Sequence, residues 1–425
     1  MIKDLFSLNI KSWRSFLLLF LFLFHMLGIR FFSGIGFVVA AIIFVLLVFS
    51  VRLTTSKLIT AFGLALLASV FQYLKGSSVG YCALVTLYVI NAVFLVYYVQ
   101  GHEIRADFKA ALKVFVIQAF LSALAYLFVP NNFLIDVNWN DAMLQSKSLF
   151  YMFYYNAGER HMLPFLPLPR ITGWAWEPGC LQLIVNLYIC LEIFDTAKIE
   201  KLIIPTIVII LTASTSGYIV WAVNVLLYIL TSNAKRFFIF IPIACIMGVM
   251  LLPLMVANVE DKFGVGGDVV VGTGASGAVR IRDFYTGIEE IKQYPLFGID
   301  VSDLANSVVY QHLEDDGLSH VPKLMGSWRS VYDYAAGGYC NGFFAMHMFW
   351  GAFGLLMLLW FIKCRLWKEL SYGRYWQIFP VIISLTLISE PISNSSFFFF
   401  FCFYNVISNN KKHAYIYSNS YIQRR

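Results

Sequence analysis

The chain has 425 residues, 60% hydrophobic and only 13% charged, where a soluble domain carries roughly a quarter charged residues. Its mean hydropathy is +0.73, so the composition excludes a soluble globular protein and points to a polytopic membrane protein. The net charge of +7 comes mostly from short loops between apolar runs, where basic residues set orientation, so it is no sign of nucleic-acid binding.

A membrane-crossing helix needs about 20 mostly apolar residues. Lys3, Lys11 and Arg14 precede the first run, 15–30. No Ala-x-Ala site follows, so it reads as an uncleaved first span. Runs at 31–49, 58–74, 79–99 and 112–129 complete spans one to five over residues 1–129. Residues 130–176 form a first long loop. The run 178–194 is one span. The stretch 201–231 is too long for one and is interrupted at Thr212–Gly217, which predicts two short helices meeting at a tight turn. With 237–256 these make spans six to nine over 177–256. Residues 257–339 form a second long loop. Within it Ile281, Phe284, Tyr285, Ile288 and Ile291 recur at helical spacing, predicting an amphipathic helix at the membrane interface. Spans ten to twelve fall at 340–362, 375–390 and 396–409, and 410–425 is a polar tail. The expected fold is an all-α polytopic membrane protein of about twelve helices.

With the amino terminus inside, 20 of the 31 basic residues fall on inside segments. The positive-inside rule then places both termini in the cytoplasm and both long loops outside. The seven cysteines are scattered without a CxxC pair, so neither a zinc site nor a disulfide framework is indicated. No Walker loop, dinucleotide fingerprint, HExxH or GxSxG is present, and no cofactor is expected. The adjacent Glu314, Asp315 and Asp316 read as a solvated turn, so no metal site is expected.

Polar groups able to do chemistry lie outside, where no nucleotide is available. A lipid-linked sugar diphosphate brings its own energy, and arginine suits its leaving group because the planar fork binds phosphate oxygens bidentately. Arg170-Ile-Thr-Gly173 followed by Glu177-Pro178 opens the sixth span. Gly277-Ala-Val-Arg280-Ile-Arg282-Asp283 lies in the second loop.

Three patches resemble the O-antigen polymerases of the Wzy class and the related O-antigen ligases. Arg170-x2-Gly173…Glu177-Pro178 looks like their Arg-x2-Gly…Glu-Pro. Arg280, fifteen residues before Pro295-Leu-Phe-Gly298-Ile-Asp300, looks like their Arg-led helix ending in Pro-Leu-x-Gly-x-Gly, with Asp300 in place of the last glycine. Asn341, followed after nine residues by Gly351 and then Gly354, looks like the ligase pattern, with Cys340 where the ligases have histidine. The Arg–ten residues–Gly motif of some polymerases is missing.

The resemblance implies a C-type-like, metal-independent glycosyltransferase of the bacterial inner membrane. Its donor and acceptor would be oligosaccharide repeat units on undecaprenyl diphosphate, with membrane lipid and a chain-length regulator as further partners. Arg170, Arg280 and Arg282 are the candidate diphosphate ligands, although Arg282, two residues from Arg280 on a helix, points elsewhere. Snorkelling at the interface is the alternative for Arg170. Glu177 is the candidate base, with a helix-start role as its alternative. His320 is the next candidate base, ahead of His161 and His312. Trp176 is a candidate sugar platform, with interfacial Trp139, Trp174, Trp328 and Tyr339 beside it. Asn341 is a candidate contact and equally a helix cap. Gly351 and Gly354 read as close-packing positions. His347 reads as a buried polar contact. An O-antigen ligase is the alternative enzyme. A flippase or transporter is the alternative of another class. It would place charges near the midplane and show paired halves with broken helices, whereas here the charges cluster at one face.

Overall fold

The computed structural model describes residues 7–27, 35–138, 145–150, 152–156, 162–163, 166–175, 177–195, 198–231, 275–299, 341–371, 375–388, 390 and 395–408. It is a largely helical membrane protein. The helices are α1 (Trp13–Met26), α2 (Ile35–Ser50), α3 (Thr55–Leu74), α4 (Val79–Val99), α5 (Arg105–Phe128), α6 (Pro178–Asp195), α7 (Ile203–Thr212), α8 (Thr215–Thr231), α9 (Ala275–Gln293), α10 (Gly342–Ile362), α11 (Leu366–Leu370), α12 (Ile378–Leu387) and α13 (Ser396–Ile407). Among the described residues α3, α4, α5, α6 and the run Gly342–Leu370 are long and apolar enough to cross a membrane. Shorter apolar helices stand at the other expected spans. The span expected at 237–256 lies outside the described residues.

Helix starts follow local chemistry. Ser12, Ser78, Asn341 and Ser395 each accept a hydrogen bond from a first-turn amide of the helix that follows, satisfying a donor that the helix itself leaves open. The two kinds of helix surface are equally legible. Ile59, Phe62, Leu66, Leu67 and Val70 make an exposed apolar stripe on α3, suited to lipid. In α13 every residue from Ser396 to Tyr404 is buried. An all-round apolar helix belongs in the centre of a bundle, and α13 packs there against α4 and α10. Ring pairs Trp367–Phe401 at 4.1 Å and Phe361–Phe398 at 5.1 Å hold it.

The stretch 201–231 divides as its sequence predicts. Ala213 adopts a left-handed conformation (φ 46°) between α7 and α8. The two helices run back antiparallel, with Trp221 Nε1 donating to Thr206 Oγ1 at 3.2 Å. At ten residues, or about 15 Å, α7 is half a bilayer long.

The loop 130–176 is more structured than expected. It holds an antiparallel sheet of β1 (Ile135–Asn138), β2 (Gln145–Leu149) and β3 (Phe153–Asn156), and a ribbon of β4 (Met162–Leu163) and β5 (Leu166–Pro169). The all-α expectation therefore holds for the bundle and not for this loop. Its strands carry little apolar alternation, so periodicity gave no signal. We call the end of the bundle bearing the loops the loop end, and the opposite one the far end.

Two further expectations are corrected. Charges do not gather at one face: at the far end Arg105 pairs with Asp195, and Lys109 lies 3.0 Å from Glu192 and 2.5 Å from Asp195. A broken helix is also present. Inside α10, Gly351 has φ 56° and ψ −144°, and the segment Leu296–Ile299 packs into the break. Ala352 N donates to Leu296 O and Ile299 N to Met348 O, both at 3.2 Å. From α3, Gln72 Nε2 donates to Phe349 O at 2.7 Å and Lys75 donates to Met348 O. Backbone groups opened inside a membrane bundle must find partners within the protein, and these supply them.

Candidate functional site

Arg170 is half-buried and is pinned by the end of α7. Its Nε donates to Thr212 O at 3.0 Å, and the next residue's amide, Ile171 N, donates to Leu211 O at 3.0 Å. The last carbonyls of a helix lack intrahelical partners and carry its negative pole, so a cation fits there. Beyond Arg170 the chain descends along α5. Gly173 turns with φ 54°. A Cβ there would stand 2.6 Å from Gln118 Oε1, so only glycine allows the approach. Trp174 N then donates to Gln118 Oε1 at 3.1 Å. Gln118 lies ten residues before the loop end of α5, about 15 Å along its axis. The arginine-to-glutamate segment is thus recessed below the end of α5, not perched on the rim of the bundle.

Trp174 packs edge-on against Phe20, Phe24 and Phe115. This is a core contact and not a platform for sugar.

Glu177 caps α6: its carbonyl oxygen accepts from Cys180 N and Leu181 N, each at 3.2 Å. Pro178 follows at the first helical position, where a missing N–H costs nothing. A second carboxylate, Glu390, reaches the same turn. It is buried, its Oε2 lies 3.8 Å from Cys180 Sγ, and any side chain at Gly179 would collide with its carboxyl group. Both acids therefore stand at a helix amino terminus, whose dipole favours negative charge. The start of α10 arrives beside them: a Cβ at Gly342 would stand 2.9 Å from Glu390 O.

Beneath this turn a chain of uncharged polar groups runs into the bundle. Gln182 Nε2 donates to Thr386 Oγ1 at 3.2 Å, Asn186 Nδ2 to Gln182 Oε1 at 2.9 Å and Asn224 Nδ2 to Asn186 Oδ1 at 3.0 Å. Such bonds join helices inside a membrane and fix α6, α8 and α12 under the site.

Compared with models of protein families, with curated proteins and with solved structures, the chain finds no match. What can be read therefore comes from its own geometry.

The structure brings the Glu177-led start of α6 and the Asn341–Gly342 start of α10 together around Glu390, while Arg170 is held on the end of α7. Arg280 and Arg282 lie near the start of α9, which packs against α10. His320 and Trp176 lie outside the described residues. Asn341 is a helix cap, with Oδ1 accepting from Phe343 N at 2.9 Å. Among the described residues no cluster of His, Cys, Asp or Glu could hold a metal.

The helix expected at 281–294 is present as α9, but it turns its polar side inward. Asp283, Thr286 and Glu290 are fully buried while Phe284 is 52% exposed. The reason is His347 of α10, which meets Glu290. Sequence reading missed Glu390. Its signal was a second Glu-Pro pair, Glu390-Pro391, matching Glu177-Pro178 more than two hundred residues earlier.

Proposed function

We propose that the protein polymerises oligosaccharide repeat units carried on polyprenyl diphosphate, for an O-antigen or similar surface polysaccharide. In this reading the loop end faces the periplasm of a bacterial inner membrane, both termini are cytoplasmic, and about twelve spans carry the chain across. The growing chain leaves its diphosphate and joins a sugar hydroxyl of the next unit. The C1–O bond to the diphosphate breaks, a new C1–O bond forms to the acceptor, and the hydroxyl proton passes to a base.

The observation that carries the proposal is the recessed segment that fixes Arg170 on the end of α7 and leads, seven residues on, into the turn of Glu177 and Glu390. A cation fixed on helix carbonyls suits the departing diphosphate. Arg280 and Arg282 would add to the clamp from α9. A carboxylate on the same recessed segment suits the acceptor proton, and we assign that role to Glu177. Glu177→Gln then stops turnover and retains binding of the lipid-linked unit. If both survive the substitution, the assignment is wrong.

Deletion of the gene tests the function as a whole. The polymerase reading predicts lipopolysaccharide bearing a single repeat unit on the core. Lipid-linked polymer retained with a bare core would instead identify a ligase.

The break in α10 favours one other reading, since broken helices mark substrate sites in transporters. Here the break is occupied by Leu296–Ile299 and capped by Lys75. A transporter would leave lipid-linked units on the cytoplasmic leaflet in the deletion strain, whereas a polymerase leaves them on the periplasmic one.

A further inference from the structure

Glu290, in the last turn of α9, and His347, in the second turn of α10, are buried against one another. His347 Nδ1 lies 3.0 Å from Glu290 Oε1, and its Nε2 lies 3.3 Å from Pro295 O. Both ring nitrogens face oxygen atoms. A carbonyl oxygen only accepts, so Nε2 carries a proton toward Pro295, and a second proton lies between Nδ1 and Oε1. One imidazole thereby ties two points of the 275–299 segment to α10.

Close approaches fix the same joint. Gly287 lies flat against the Phe344 ring, with no room for a side chain. Gly298 turns with φ 67° against the carbonyls of His347 and Met348. The break at Gly351 receives Leu296, whose carbonyl fills the place of a Cβ.

Stability does not account for the pair. A buried ion pair is often no better than well-packed apolar side chains. Here Glu290 Oε2 and Thr286 Oγ1, one turn apart on the same helix, are buried without a hydrogen-bond partner, and nothing described offsets that cost. What the pair supplies is register. Sliding α9 by one residue shifts it about 1.5 Å and turns it about 100°, which separates Glu290 from His347. Position 280 stands ten residues earlier, about 15 Å up the same axis, so the joint sets where that position lies.

We propose that Glu290 and His347 are positioning residues, locking α9 onto the broken helix α10 so that Arg280 is held at the diphosphate. The lock itself is independent of the polymerase reading; its purpose rests on that reading. The pair touches no substrate and acts through the helix.

A crosslink tests it in the full-length protein. With Gly287→Cys and Phe344→Cys together, disulfide formation in membranes should be fast. Adding Glu290→Ala should slow it roughly tenfold or more, and Glu290→Gln, which keeps the shape, should slow it less. In the same proteins the KM for lipid-linked donor should rise roughly tenfold with Glu290→Ala while kcat changes little, and closing the disulfide should restore KM. Equal crosslinking rates with and without Glu290 overturn the lock. A closed disulfide that fails to restore donor affinity overturns the positioning role. Slowed crosslinking in a parent protein that forms no polymer at all leaves the lock standing and removes the polymerase reading.

Discussion

Arg105 and Lys109 of α5 meet Asp195 and Glu192 of α6 in a four-membered ion cluster at the far end, whereas Glu290 and His347 join α9 to α10 as a lone pair. The far-end cluster has further members. Tyr188 donates to Glu192 at 3.0 Å, and Lys201 adds a fifth charge at 3.9 Å. Its outer members keep some access to solvent, with Asp195 22% and Lys109 17% exposed. The α9–α10 pair is fully buried, its further contact among the described residues is His347 Nε2 to Pro295 O, and one carboxylate oxygen is left over. A cluster of several charges that share partners and keep some access to solvent belongs to the fold. A single buried pair that joins two helices fixes how they lie against each other. At the recessed segment the arginine rests on helix carbonyls, and two acids stand at one helix start.

Removing a far-end charge should do the most damage to the fold. Arg105→Ala leaves Asp195 without its closest cation, and breaking a buried pair costs about 3–5 kcal/mol. Thermal unfolding in detergent should show it, together with a fall in protein level. An unchanged melting temperature would erase the distinction between the two joints.

Arg170→Ala should behave in the opposite manner. Polymer should fall about 10²–10³-fold, the loss expected for a preorganised donor to a developing charge, with the amount of folded protein unchanged. Lysine should rescue poorly because it lacks the bidentate fork. A parallel loss of polymer and of protein would move Arg170 into the structural class.

Gly351→Ala sharpens the comparison at the break. The new Cβ meets the Leu296 backbone at a positive φ, and strain of this kind costs about 1–3 kcal/mol. The melting temperature should fall and the 287–344 crosslink should slow. Retention of both would show that the wedge is not seated in the break. The smallest effect is expected from Asn341→Ala, which removes a cap worth about 1 kcal/mol. A loss of polymer out of proportion to that destabilisation would give Asn341 a role at the substrate.

Much of the bundle was legible because a span is a long, one-signed signal: α3, α4, α5 and α6 coincide with apolar runs, and Thr212–Gly217 marked the α7–α8 turn. The break at Gly351 was not legible, because a glycine that packs closely and a glycine with positive φ look the same in sequence. What distinguishes them is the backbone of Leu296, fifty-five residues earlier. The burial of the polar side of α9 was not legible for a related reason. Its apolar stripe is real, but Glu290 meets its partner only through α10, a contact that periodicity does not report. In the site, Arg170 and Glu177 were legible as a charged pair at a helix mouth. Glu390 was not, because its neighbour Gly179 lies more than two hundred residues away in the chain.

The most direct measurement is polymer formation by the purified protein from lipid-linked repeat units, comparing the parent with Arg170→Ala at matched amounts of folded protein and with chelator present. The account predicts ladders of repeat units from the parent, unaffected by chelator, and single units from the variant. Equal ladders from both proteins, or no ladder from a folded parent supplied with its own strain's lipid-linked unit, would contradict it.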